Sequence, residues 1–173
     1  MMREGKTPDS FTLSNALRAS IGGSGLMKVS QVHGLIIKLG FGAHSMLAGS
    51  LIDACAKCGS TKSAYQLYKI MIEKDIISCT ALIAAFARLG GYTKDAFNLF
   101  EDVKLMQMRV DDVILCSILN ICANTASLSF GRQIHAFALK SQPSYDVAMG
   151  NALIDMYAKS GEVEDATPLL LMR

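Results

Sequence analysis

The stretch DACAKCGS, residues 53–60, holds Cys55 and Cys58 in a CxxC spacing. Such a pair could supply two thiolates to a zinc ion or form a redox-active dithiol. The related stretch DMYAKSGE, residues 155–162, carries Tyr157 and Ser160 at the two cysteine positions. Neither a metal site nor a dithiol would survive that exchange, whereas a packing position would. We therefore interpret Cys55 as a buried apolar residue.

The other cysteines do not complete a metal site. A structural zinc site needs four ligands, usually from a second CxxC or an HxxxH pair. Cys79, Cys116 and Cys122 offer no such spacing. The sequence therefore predicts no metal and no cofactor.

Two histidines recur in one register, His33 in QVHG and His135 in QIHA. General acid–base catalysis needs a reacting group or partner within hydrogen-bond reach, and no nucleophile or acid lies beside either histidine in the sequence. The zinc deaminase signature, HxE followed by PCxxC, is also missing, because the histidines stand in HGL, HSM and HAF. We predict inter-helix contacts for these histidines, no catalytic residue, and a protein that is not an enzyme.

Composition indicates a soluble, core-rich chain of 173 residues, 51% hydrophobic, with a formal charge of +2. No apolar run approaches the roughly 18 residues of a membrane span, and MMREGKTPDSF contains no targeting peptide. The odd number of cysteines, five, favours a reducing compartment. The near-neutral charge does not support a large field for nucleic acid. Two interpretations stay open for Lys38, Lys57, Lys140 and Lys159, phosphate contacts or a solvated face.

The sequence aligns with itself, without a gap, at an offset of 102 residues. Such a constant offset over more than sixty positions indicates a repeat architecture. The identical pairs include Asp9 and Asp111, Leu17 and Leu119, Gln31 and Gln133, His33 and His135, Lys38 and Lys140, Leu51 and Leu153, Asp53 and Asp155, Lys57 and Lys159, and Gly59 and Gly161.

The repeating element is a helix hairpin. LIDACAKCG, LIAAFARLGG and LIDMYAKSG share apolar residues at i, i+1, i+4 and i+5, which marks one face of a helix. Each of these helices ends at a glycine suited to a left-handed cap, and a second amphipathic helix follows each glycine turn. The terminal glycines are Gly59, Gly90 and Gly161, and the predicted N-caps of the first helices are Asp9, Ser45, Asp75, Asp111 and Asp146. Strand signals are missing, so we predict an all-α, right-handed α-solenoid of stacked antiparallel helix hairpins.

The hairpins divide the chain into modules. We place them at 10–44, 45–75, 76–111, 112–146 and 147–173, with 1–9 as the tail of a preceding repeat and the last module incomplete. Pro168 falls inside the predicted second helix of the last module, where a proline costs about 3 kcal/mol. We interpret that segment as a frayed terminal repeat of a chain that is a fragment of a longer solenoid.

The stretches GNALIDMYAKSGEVEDA, TALIAAFARLGGYTKDAFNLF and SFGRQIHAFALK resemble the pentatricopeptide repeat family in its plant-type arrangement. In that arrangement long, short and standard repeats alternate; 10–44 and 112–146 resemble long repeats, 45–75 and 147–173 short ones, and 76–111 a standard one. The resemblance implies binding of single-stranded RNA, one base per repeat, by a monomer within a longer array. It also implies a mitochondrial or chloroplast targeting module for RNA processing, editing above all, with other RNA-processing proteins as further partners.

The resemblance also implies which residues read bases, namely the fifth and the last residue of a repeat. In the standard repeat these are Thr80 and Asp111, a hydroxyl and a carboxylate that suit the N1–H and N2–H₂ donors of guanine. Asn151 resembles a pyrimidine reader, whereas Gly49 with Asp75 has no side chain at the first position and receives no base. The long repeats place Cys116 with Asp146, and Ser14 with His44. The residues implied to pack against base faces are Ile77, Met46 and Ala148.

Two other interpretations stay open. The concave helical surface could serve as a protein-interaction scaffold, which the near-neutral charge favours. A truncated, non-functional copy would fold poorly and show a broad, low thermal transition. The Thr80 and Asp111 pair and the family resemblance favour RNA.

Overall fold

A computed structural model describes residues 7–22, 25–42, 44–141 and 146–166. Within these ranges all regular structure is helical and no strand occurs. The helices are α1 (Ser10–Ala19), α2 (Gly25–Lys38), α3 (Ser45–Lys57), α4 (Thr61–Ile70), α5 (Ile76–Leu89), α6 (Thr93–Leu105), α7 (Asp112–Asn124), α8 (Leu128–Ser141) and α9 (Val147–Lys159). Pro168 lies outside the described residues, and the module boundaries stay a prediction from the sequence.

The first helices begin at capping aspartates. The carboxylates of Asp9, Asp75, Asp111 and Asp146 each accept a hydrogen bond from the backbone N–H three residues later, at 2.7–2.9 Å. Such a cap contributes about 0.5–2 kcal/mol. The prediction that Ser45 caps α3 is wrong, because Ser45 is the first helical residue and the cap position belongs to His44, whose side chain makes no capping bond.

Glycine turns end the predicted first helices. Gly59, Gly90 and Gly161 have φ of +80°, +70° and +85°, as predicted. Beyond α7 the turn contains no glycine, and Ala126 occupies the left-handed position with φ of +51°. The Ser127 N–H still donates to the Cys122 carbonyl at 2.9 Å, so the same turn forms without glycine. An L-residue in this conformation costs roughly 1–2 kcal/mol.

The chain divides into two compact units, 1–85 and 86–173, with the boundary inside α5. In the first unit, α3 packs between α1, α2 and α4. Its core contains fully buried apolar side chains, each worth about 1.5–3 kcal/mol relative to exposure. They include Leu13, Leu17, Val29, Leu47, Ile52 and Tyr68. The Cys79 thiol donates to the Tyr68 hydroxyl at 3.3 Å within this core.

In the second unit, α7 packs against α6, α8 and α9. The buried side chains include Leu99, Phe100, Ile114, Leu115, Ile118, Ile134, Met149, Leu153 and Met156. An aromatic cluster joins α6 to α8, where Phe97 stacks on Phe130 with ring centroids 3.9 Å apart. Phe100 meets the edges of Phe130 and Phe137.

The structure shows how Cys55 and His135 are packed. Cys55 is 6% exposed, which confirms it as a packing residue, and burial raises the pKa of its thiol to about 11. His135 Nδ1 lies 2.9 Å from the Tyr157 hydroxyl, which confirms an inter-helix contact between α8 and α9. Among the described residues, no group of three or more His, Cys, Asp or Glu side chains could hold a metal ion. No helix in the described ranges has the length and apolarity needed to cross a bilayer.

Candidate nucleic-acid interface

The start of each first helix carries an exposed apolar side chain, next to a capping aspartate in α1, α5, α7 and α9 and next to His44 in α3. The second residue of each first module helix points its apolar surface to solvent instead of into the core. Ile77 is 69% exposed, Met46 is 47% exposed and Ala148 is also exposed. Isolated exposed apolar residues are common, but a recurrence at one register position indicates a shared role.

Two further residues occupy this position, Phe11 and Val113, at 69% and 54% exposure. The sequence reasoning missed both, although they are the second residues of the long modules. The available signal was register: each stands two residues after a capping aspartate, Asp9 or Asp111. All five first helices that begin a predicted module therefore carry the same exposed feature.

The caps use only part of each carboxylate. In Asp75, Asp111 and Asp146 the bond to the helix involves Oδ1. A carboxylate has about four acceptor positions, so capping leaves capacity for an external donor. Capping and base reading are thus compatible roles for one side chain. At Asp9, hydrogen bonds from the hydroxyl and backbone amide of Thr12 lower the pKa of the carboxyl group.

In the first unit the structure brings Gly49 and Asp75 together. A Cβ added to Gly49 would lie 3.2 Å from Asp75 Oδ2 and 3.1 Å from Ser78 Oγ. The missing side chain therefore makes room for the cap of α5 against α3. The Ser78 hydroxyl is buried and has no hydrogen-bond partner among the described residues. This site offers a carboxylate but no reading side chain from α3.

In the second unit the charge of Asp146 acts on the Cys116 thiol. Burial, followed by the charges of Asp146 and Asp112, raises the pKa of the Cys116 thiol to about 11. The thiol therefore stays protonated and can act as a weak S–H donor.

Thr80 and Asn151 lie within the first two turns of α5 and α9. The Thr80 hydroxyl donates to the Ile76 carbonyl at 2.8 Å, which leaves its oxygen as an acceptor. Thr80 belongs to the first unit and Asp111 to the second, so their pairing stays a prediction from register. Asn151 is exposed at its position on α9.

The remaining pair predicted for a long repeat takes a structural role. Ser14 is 8% exposed and its hydroxyl lies 2.9 Å from that of Ser50 on α3. His44 packs edge-on against Phe41 with ring centroids 6.1 Å apart. Its Nδ1 is buried without a hydrogen-bond partner in the described ranges. Ser14 is therefore part of the α1–α3 packing and is not displayed for a ligand.

Basic residues near these helices divide into two kinds. Lys57 and Lys159 are tied to Asp53 and Asp155 of their own helices at 2.8 Å. Lys38 and Lys140, at the ends of α2 and α8, are exposed. The paired lysines have their charge partly neutralised, so any phosphate contact from them would be weaker than from a lysine without an acidic neighbour.

The antiparallel helix hairpins carry polar and apolar residues at the same positions of successive first helices. This arrangement is that of an α-solenoid repeat protein. The family model described as PPR repeat matches residues 48–76 and 151–167. A pentatricopeptide repeat-containing protein of Arabidopsis thaliana is 53% identical over 167 residues, 96% of this chain and 30% of that protein. The chain belongs to the pentatricopeptide repeat family.

Other relatives and a solved structure agree. Two further A. thaliana family proteins are each 35% identical to this chain. The one named mitochondrial matches over 98% of this chain and 27% of its own length. The one named chloroplastic matches over 95% of this chain and 20% of its own length. The crystal structure of the pentatricopeptide repeat protein PPR10 in complex with an 18-nucleotide psaJ RNA element matches with a TM-score of 0.83. It is 20% identical, over 99% of this chain and 25% of that chain, so the likeness shows the α-solenoid fold. The chain spans about 30% or less of the length of these relatives.

Proposed function

We propose that this chain binds single-stranded RNA through the starts of its first helices, with one base at each repeat. The observation that carries the proposal is the pairing of an exposed apolar side chain with a neighbouring cap position at every predicted module start. A base has an apolar face and a hydrogen-bonding edge, so it needs both kinds of contact at once. The family membership and the psaJ RNA element in complex with PPR10 support the same chemistry.

The guanine preference of the standard repeat follows from the acceptors at its two register positions. The Thr80 oxygen accepts because its proton is donated to Ile76, and the Asp111 carboxylate is an acceptor only. Guanine presents the donors N1–H and N2–H₂ on its Watson–Crick edge, whereas uracil presents one donor between two acceptors. We propose that Ile77 packs on the face of this base.

The affinity of this stretch is limited by its number of repeats. Loss of a stacking contact costs about 1–3 kcal/mol per base, while association costs an estimated 4–15 kcal/mol. Three or four engaged bases therefore give weak binding. Useful affinity needs a longer array, consistent with the greater length of the relatives.

We assign the protein to organellar RNA processing, as a targeting module without catalysis of its own. The support is the mitochondrial and chloroplastic naming of its relatives. Editing is the processing step that the plant-type arrangement of repeats favours.

The test is fluorescence anisotropy on the chain set within a longer array of the same repeat type. RNA probes differ only at the base opposite the standard repeat, and Thr80→Asn is measured beside the parent. We expect the parent to prefer guanine and the variant to move toward uracil. Thr125→Asn is the matched control, because Thr125 makes the same 2.8 Å bond to a carbonyl four residues back but lies at the end of α7.

A folded array without base preference, unchanged by Thr80→Asn, would show the reading assignment to be wrong. The protein-scaffold function would then take its place. The near-neutral charge of +2 is the observation that favours this second candidate.

A further inference from the structure

A cavity of about 390 Å³ lies among α2, α3 and α4 in the first unit. Small-molecule sites typically enclose about 300–1,000 Å³, with mostly apolar walls and a few polar groups. The walls here combine aliphatic side chains with Cys55 and with four polar side chains, those of His33, Ser30, Ser63 and Gln66. Leu51, Leu67 and Ile70 line both this cavity and an adjoining one of about 510 Å³.

In the second unit, larger side chains occupy several of the positions 102 residues later. There the Tyr157 ring stands edge-on to His135, with centroids 5.7 Å apart, and its hydroxyl lies 2.9 Å from Nδ1. Arg132 and Asp165 form an ion pair at 2.8 Å beside them. Tyr157 is only 5% exposed, so its ring is an interior side chain.

In the first unit three of these four positions carry a smaller residue. Cys55 stands for Tyr157, Ser30 for Arg132 and Ser63 for Asp165, while the histidine is retained as His33. All four lie on the cavity wall. The cavity wall therefore carries small side chains at the positions where the second unit has a phenol ring and an ion pair.

The polar groups of the wall differ in how much of their hydrogen-bonding capacity is already used within the protein. The Ser30 hydroxyl donates to the Leu26 carbonyl at 2.9 Å, and the Ser63 hydroxyl accepts from Ser60 at 2.9 Å. His33 is half-buried, and within the described ranges its ring nitrogens have no hydrogen-bond partner. The retained histidine is thus available for the contact that His135 makes with Tyr157.

We propose that this cavity is a binding site for one phenolic ring, whose hydroxyl donates a hydrogen bond to a ring nitrogen of His33, the same pair of groups that Tyr157 and His135 bring together. The ring would lie against Leu51, Leu67 and the Cys55 side chain. The same chemistry can come from a small phenol or from a tyrosine side chain presented by a polypeptide. The site uses the second helices of the hairpins and is independent of the RNA-binding proposal.

The first experiment titrates the full chain with p-cresol by isothermal titration calorimetry. We expect saturable binding at one site, and binding about 2–10-fold weaker for 4-methylanisole, whose ring is the same but whose oxygen cannot donate. Absence of saturable p-cresol binding to the folded chain would overturn the proposal. Equal binding of both compounds by the parent would overturn the assigned contact with His33.

Variants then locate the site. Cys55→Tyr should fill the cavity with the ring found in the second unit and weaken p-cresol binding by tenfold or more, an effect of about 1.4 kcal/mol. Cys55→Ser is the matched control, since it leaves the volume open and should bind p-cresol as the parent does. Unchanged binding by a folded Cys55→Tyr protein would place the ligand elsewhere and refute the site.

A second pair of probes separates the two sources. N-acetyl-tyrosinamide carries the phenol on a peptide-like backbone, and N-acetyl-phenylalaninamide is its control. Binding of the tyrosine compound, lost in Cys55→Tyr, would support a polypeptide source. Binding of p-cresol without the tyrosine compound would support a small phenol.

Discussion

The α2–α3 packing of the first unit and the α8–α9 packing of the second are built from residues 102 positions apart, yet they fill space differently. At one layer the second unit has Gly131 and Met156, and a Cβ added to Gly131 would overlap the Met156 side chain. The first unit has Val29 and Ala54 at these positions, both 1% exposed. In the second unit the small residue is on α8 and the large one on α9. In the first unit the larger residue is on α2 and the smaller one on α3, so the positions of large and small residues are exchanged.

The next layer shows no such exchange. The ring of Tyr157 and the Arg132–Asp165 pair in the second unit correspond to Cys55, Ser30 and Ser63 in the first, all of them smaller. The cavity of about 390 Å³ in the first unit is lined by these three smaller residues. The difference between the two layers indicates that a repeat can keep its helix packing when a larger side chain on one helix faces a smaller one on the other, and that smaller side chains on both helices can line a cavity.

The largest expected effect comes from breaking the volume exchange. Met156→Ala should lower the free energy of unfolding by about 2–5 kcal/mol through the cavity left behind. Gly131→Val should lower it by about 1–3 kcal/mol through overpacking against Met156. The double variant recreates the Val29 and Ala54 combination and should lose clearly less than the sum, measured by guanidinium unfolding followed by circular dichroism.

Gly150→Ala is the control for this cycle, because a Cβ there meets no atom within 4 Å. It should be neutral or stabilise by up to about 1 kcal/mol through helix propensity. Strict additivity of the two α8–α9 substitutions would contradict the volume exchange.

Conversion of one unit to the other gives the next effect. Tyr157→Cys should destabilise the chain by about 2–4 kcal/mol, since it removes a buried ring. It should also raise the stoichiometry of p-cresol binding from one site to two, measured by calorimetry at a temperature where the variant is folded. A stoichiometry that stays at one in the folded variant would show that the two positions are not equivalent.

The contact between Tyr157 and His135 should give a smaller, pH-dependent effect. Tyr157→Phe removes the 2.9 Å bond and should cost about 0.5–1.5 kcal/mol. Burial lowers the pKa of His135, opposed in part by the charge of Asp165. Because the pKa of His135 is lower in the folded state than in the unfolded state, the stabilisation from its neutral imidazole is present above about pH 6.5. It is lost as the pH falls through the folded-state pKa of His135.

The measurement is the urea midpoint from pH 8 to pH 5 for the parent and for His135→Gln. We expect the parent to lose stability over this range more steeply than the variant. Parallel pH profiles for the two proteins would rule out a contribution from the buried imidazole.

The smallest effect is expected from the ion pair. Arg132 and Asp165 are about half exposed, and Glu162 lies 3.4 Å from the same guanidinium. Replacement of both by serine, as in Ser30 and Ser63, should cost about 1 kcal/mol or less. The difference from the parent should shrink in about 1 M salt, where screening is strong. A loss that persists undiminished in salt would indicate packing by the arginine stem.

Much of the fold was predictable because its signals are local. A capping aspartate and a glycine turn act within a few residues of their own position, so Asp75 and Gly59 were recognised from their neighbours alone. Ser45 was misplaced because the preference of serine for the N-cap is a tendency that does not fix the residue at which a helix begins, and α3 begins one residue earlier than that preference suggests. The turn at Ala126 was missed because other bonds hold an alanine in a conformation that its own propensity disfavours.

For the candidate interface, the positions of its residues within each repeat could be predicted from the sequence, but their tertiary contacts could not. The positions of Thr80, Cys116 and Ile77 follow from counting residues in a repeat. That Ser14 bonds to Ser50 on another helix, and so is not displayed, depends on a neighbour 36 residues away. Periodicity contains no information about such a partner.

The sequence by itself determined the helices, their caps and the repeat at an offset of 102, because each of these depends on residues close in the chain or on identity between positions. Only the tertiary structure decided which volumes are filled. Cys55 and Tyr157 occupy the same position of the repeat, but whether a small residue there leaves a cavity depends on the side chains that two other helices bring to the same space. Packing at such a position depends on side chains that are distant in the sequence, and these are known only when the arrangement of the helices is known.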